Sequence, residues 1–207
     1  MQIKIKDNIK EFSKKLNDFE KKKLPLITRS AINNTLFGLR KEMGKQTIKK
    51  LDRPTPFTQK AFHVNKAKGT KASGSLVIKD KQAEYLQYVI DGGLRDESRM
   101  IPIPYTPNAR LNKYGNIIGK RTGLIKKKTQ FIGTIKGITG VWERYNKGKN
   151  VKLIIGFKPT VQYEGGKFPF YKIGRKYIDN TFSRHLSDAY KFRIKQWYIN
   201  AVYIIGG

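Results

Sequence analysis

The chain has no cysteine, which excludes disulfides, thiolate metal sites and cysteine nucleophiles together. Histidine is nearly as scarce, and neither His63 nor His185 sits among the several convergent ligands that a metal site needs, so packing or surface roles suffice for both. No apolar run approaches the roughly 20 residues that span a bilayer, and the start MQIKIKDNIKEF lacks a signal-peptide core. The expectation is a protein without a membrane partner, made and used in a reducing compartment. Acidic residues are few: 15 Asp plus Glu stand against 44 Lys plus Arg, a formal net charge of +29. Between residues 101 and 150, Glu143 is the only acid among eleven basic residues. The excess runs through the body of the chain, so it opposes folding by self-repulsion and favours contact with a polyanion.

Familiar catalytic patterns are missing too. No serine sits in a GxSxG elbow, and Gly119-Lys120-Arg121-Thr122-Gly123 lacks both the phosphate-loop spacing and a preceding strand. Asp91, Asp96 and Glu97 come nearest to a carboxylate cluster, without the order of a calcium loop or a recognisable nuclease pattern. Glu143 suits a general acid less well than an ion-pair partner for its basic neighbours. No cofactor is implied, and the chain reads as a non-enzyme.

What is present is a foldable sequence. It is 38% hydrophobic, with 11 Phe, 11 Tyr and 2 Trp, and its 207 residues suffice for one well-buried core. Ile9, Phe12, Leu16 and Phe19 mark an amphipathic helix over Asp7–Lys22. A second helix runs from Pro25 to about Lys49 on Ile27, Ala31, Ile32, Leu36, Leu39 and Met43. Pro54 and Pro56 end that region. AFHVNKA (61–67) and GSLVIKD (74–80) read as a hairpin, followed by a short helix around Ala83–Ile90 that Gly92-Gly93 stops. Strand patterns return at QFIGTI (130–135), GVWERY (140–145), VKLIIGF (151–157) and TVQY (160–163), with NKGKN (146–150) as a hairpin turn. A final helix spans about Gly174–Asn200 on Ile178, Phe182, Leu186, Ala189, Phe192 or Arg193, and Trp197. The terminal AVYIIGG suits an edge strand or an assembly contact. The expectation is a single α+β domain over 1–207: an antiparallel sheet of about five strands packed against N-terminal helices and a long C-terminal helix, with a long basic loop at about 94–128.

Basic clusters suggest where a polyanion would touch. Lys113, Lys120, Arg121, Lys126, Lys127 and Lys128 lie in or beside that loop, and Tyr105, Tyr114 and Phe131 interleave with them, which permits stacking on unpaired bases. A solvated surface is the plainer reading of the same lysines.

One further pattern is a resemblance. GVWERY followed by KLIIGFKPTVQY and KFPFY, with a long helix behind, resembles the tailed-phage family called minor tail protein Z, or tail completion proteins. RPTPFTQKAF (53–62), QAEYLQYVIDGG (82–93) and NKYGNI (112–117) resemble the family's earlier segments in the same order, so the likeness covers about residues 10–200. It implies a structural virion protein that completes or caps the tail and supports head–tail joining, at the head-proximal end of the virion tail after assembly in the host cytoplasm. The implied partners are the tail tube or tail terminator, head–tail connector proteins, viral DNA and further copies of the chain in a ring. Trp142, Glu143, Arg144, Phe168, Phe170 and Tyr171 are the family-typical core or assembly positions, and no catalytic residues or metal come with the likeness. The readings from other classes are a non-specific nucleic-acid-binding protein and a metal-dependent nuclease built on Asp91, Asp96 and Glu97.

Overall fold

The computed structural model describes residues 19–69, 73–105, 111–118, 124–125 and 127–205, without the side chains at 19–20, 97–99 and 197–205. The fold is α+β, as expected, with antiparallel strands in the middle of the chain and long helices towards its two ends. A π-helical turn, Phe19–Lys23, runs straight into helix α1 (Leu24–Lys50). Then come α2 (Pro56–Gln59), β1 (Phe62–Asn65), β2 (Ser75–Ile78), α3 (Asp80–Ile90), β3 (Gly93–Pro104), β4 (Gln130–Ile135), β5 (Ile138–Tyr145), β6 (Asn150–Tyr163) and α4 (Phe170–Ile205). Most of the helix expected over Asp7–Lys22 lies outside the described residues.

The chain divides into two compact units, one drawn from 1–46, 61–79 and 170–207, the other from 47–60 and 80–169. In the first, α1 opens with Pro25 in its first turn, where the missing N–H breaks no helical bond. Ile27 and Ala31 pack with Ala189, Phe182 and Leu186 of α4. Further along the same stripe Leu36, Leu39 and Met43 are buried, whereas the expected Ile32 is only half-buried. Thr35 donates its hydroxyl hydrogen to the Ala31 carbonyl at 2.9 Å, so His185 Nδ1, 2.9 Å away, must be the donor to Thr35 Oγ1. That bond explains His185 as a packing residue. The β1–β2 ladder pairs Phe62 with Ile78 through Asn65 with Ser75. It is tied to α1 by Asn33, whose side chain accepts from the Ala67 N–H at 2.8 Å and donates to the Ala67 carbonyl at 3.3 Å.

In the second unit the sheet order is β3-β6-β5-β4, all antiparallel. Its core joins Val141 of β5 to Ile154, Ile155 and Phe157 of β6, with Leu124 and Ile117 alongside. A β-bulge makes this possible: Val141 pairs with Ile155 and Trp142 with Leu153, which leaves Ile154 as the extra residue, buried with its neighbour. Helix α2 is capped by Thr55, whose Oγ1 accepts the Thr58 N–H, and α3 ends at Gly92 and Gly93, both at positive φ.

The strand inventory differs from expectation in its grouping. Among the described residues, six strands form a four-stranded sheet and a separate two-stranded ladder. Residues 93–104, expected to begin the long basic loop, are β3, hidden in the sequence because it is an edge strand with a register shift between Asp96 and Ile101 and prolines at 102 and 104. VKLIIGF and TVQY are one strand, β6, running through Pro159. Proline is tolerated there because pairing with β5 has already ended at Gly156 and pairing with β3 shifts register at that point. The expected edge strand in AVYII is the last turn of α4, and α4 starts earlier than expected, at Phe170. Among the described residues, no helix is long and apolar enough to cross a membrane.

Candidate polyanion-binding surface

Pairing register brings the basic residues together at one end of the four-stranded sheet. Thr129 accepts the Arg144 N–H at 2.9 Å, and Glu143 lies opposite Gln130 on one side and Lys152 on the other. The β5–β6 turn then places Lys147 and Lys149 beyond Tyr145 and Asn150. Lys127, Lys128, Arg144, Lys147, Lys149 and Lys152, spread over 26 residues of sequence, therefore surround the start of β4, the end of β5 and the start of β6.

Glu143 organises this end. It sits on the same face of β5 as Val141, its side chain only 8% exposed. Lys127 Nζ donates to Oε1 at 2.9 Å from the segment before β4, and Lys152 Nζ stands 3.4 Å from Oε2 across the β5–β6 pair. Oε2 makes no hydrogen bond of good geometry, Lys152 Nζ being its near neighbour at 3.4 Å. The hydrogen bond from Lys127 holds the Glu143 carboxyl below its ordinary range, against the upward push of burial and with further help from Lys152. The lysine ammonium groups reach solvent, their side chains 64% and 38% exposed. One buried anion thus holds two partly exposed cations in place. On the opposite face the Arg144 guanidinium lies 4.7 Å from the centre of the Phe131 ring. Tyr145, 45% exposed, has Lys152 Nζ 5.8 Å from its ring centre.

The turn itself is unusual for its backbone. Asn146 and Lys147 take left-handed φ of 52° and 54° before Gly148 at 87°. Two bonds close it, Gly148 N–H to Tyr145 O and Lys149 N–H to Asn146 O, both 3.1 Å. Asn tolerates that region and lysine does not favour it, so Lys147 is the strained position of the turn.

Of the six residues expected to touch a polyanion, Lys127 and Lys128 belong to this surface. Lys120, Arg121 and Lys126 lie outside the described residues. Lys113 is elsewhere, in an Asn112-capped turn with its Nζ 5.1 Å from the Tyr114 ring centre. Among the core or assembly positions, Trp142 is buried and donates its indole N–H to the Gly133 carbonyl at 3.1 Å, and Phe168 is fully buried in the second unit. Phe170 stacks on Phe62 in the first unit with ring centres 6.1 Å apart, and Tyr171, 72% exposed, meets Phe170 edge-on. Sequence reasoning missed Arg144, Lys147, Lys149 and Lys152 as surface cations. The signal was there in NKGKN, a turn tip with two lysines, and in Arg and Lys at alternating strand positions.

Nothing comparable gathers the acidic residues. Among the described residues there is no group of three or more His, Asp or Glu able to hold a metal ion, and the Glu97 side chain expected beside Asp91 and Asp96 lies outside them. An open cleft of about 530 Å³ in the first unit is lined by Tyr171, Lys172, Arg175, Lys176, Asp179 and Asn180, without paired carboxylates or histidine. Comparison with protein families, curated proteins and solved structures finds no match.

Proposed function

We propose that this chain is a structural virion protein that completes or caps a phage tail and supports head–tail joining, with its basic surface towards DNA in the lumen. The ordered series of segments resembling tail completion proteins supports the assembly role. The gathering of six cations at one end of the sheet, two of them held by buried Glu143, supports the DNA contact, because phosphates are bound through clustered Lys and Arg without base reading. Cyclic assembly of several copies around a tail axis goes with this reading. The test is genetic and visual: negative-stain images of particles lacking this protein should show tails that are open at the head-proximal end or detached. Normally closed, attached tails would rule the role out.

A second reading, a free nucleic-acid-binding protein, draws on the same surface. It is told apart by isolated monomers binding DNA with a steep salt dependence while failing to associate with tail proteins.

A further inference from the structure

The two edges of the four-stranded sheet are protected unequally. On β3 the Tyr105 N–H bonds inwards to the Ile154 carbonyl at 3.0 Å, so by alternation the backbone nitrogens of Pro102 and Pro104 face outwards, where they offer no donor. The register shift between Asp96 and Ile101 breaks the rest of that edge. On β4 the Thr129 carbonyl bonds inwards to Arg144, so by the same alternation Ile132 and Thr134 turn N–H and C=O outwards. Strand β4 contains no proline, no bulge and no charged side chain, and Ile132 is 48% exposed beside buried Val141. Among the described residues, proline, bulge and charge, the devices that block strand addition within a strand, are missing from this edge.

We infer that β4 is a docking edge for an extended segment of another protein, with alternating apolar residues in its centre and acidic residues at both ends. The segment adds as a fifth strand, bonding the outward groups of Ile132 and Thr134 and packing one side chain beside Ile132. Charge selects the occupant: Lys127 and Lys128 stand before β4, and Lys136 stands in the turn after it. A second copy fits poorly, because antiparallel pairing of two β4 strands sets the Lys127–Lys128 end of each against the Lys136 end of the other. The inference is independent of the tail reading.

Fluorescence anisotropy of a labelled peptide of alternating Val and Thr between Glu–Asp ends, titrated with the full chain, should show saturable binding, and hydrogen exchange of the complex should show slowed Ile132 and Thr134 amides. Ile132→Pro removes an outward donor without changing charge and should weaken binding about tenfold. If that variant fails to fold, Lys128→Glu with Lys136→Glu should transfer preference to a Lys-ended peptide. A peptide with the same acidic ends but proline at alternate central positions should not bind. Equal binding of that control, no binding of the first peptide, or self-association of the chain that Ile132→Pro abolishes would each overturn the inference.

Discussion

Glu143 holds two of the cations of the basic surface, Lys127 and Lys152. Its carboxyl titrates below its ordinary range in the folded chain, so its stabilising contribution is present above the unfolded value and is lost as pH falls through the lower folded one. Glu143→Gln should therefore cost about 1 kcal/mol at neutral pH, a modest figure because both lysines are partly solvated. The cost should vanish once pH falls below the folded value, and thermal unfolding across an acid series reads it. A cost that did not change with pH would mean that the side chain acts by shape alone. Trp142 is the contrasting case. Its indole is buried and bonded to Gly133, so Trp142→Ala should lower stability by roughly 3–5 kcal/mol without altering DNA affinity per folded molecule.

Strand pairing decides which residues become neighbours at the scale of elements. Gly140 and Gly156 face each other across β5 and β6, and a methyl group on Gly140 would meet the Ile155 carbonyl oxygen and the Gly156 backbone. Gly140→Ala should destabilise by about 2–4 kcal/mol, read by denaturant unfolding, since backbone cannot move aside as a side chain can. The β5–β6 turn predicts the opposite behaviour. Lys147→Gln with Lys149→Gln should leave stability within about 0.5 kcal/mol and reduce the salt slope of DNA binding by about 1–2. An unchanged slope would remove this turn from the phosphate-contacting surface.

Much of this level was legible in the sequence. The Ile27, Ala31, Leu36, Leu39 and Met43 spacing marked α1, and NKGKN marked the turn. What stayed hidden had physical causes. Strand β3 carries charge and proline because it is an edge, so it reads as loop, and Pro159 divides β6 in sequence although a register shift accommodates it in the sheet. The surface was half visible: Lys127 and Lys128 showed as a run, but Arg144, Lys147, Lys149 and Lys152 join them only through register, which one-dimensional patterning does not contain.

The whole molecule carries +29 formal charges on 207 residues, and self-repulsion on that scale must be screened or matched. Melting temperature should rise with ionic strength at low salt, and rise further with a polyanion such as heparin that binds the folded form. A melting temperature indifferent to both would mean that the cations are too dispersed to act together. The gathered cations at one end of the sheet fit the proposed assembly role beside DNA. The most direct test is cryo-electron microscopy of phage particles encoding this chain. The account predicts its density as a ring between tail tube and head–tail connector, with Lys147 and Lys149 towards the lumen; intact, infectious particles without that density would contradict it.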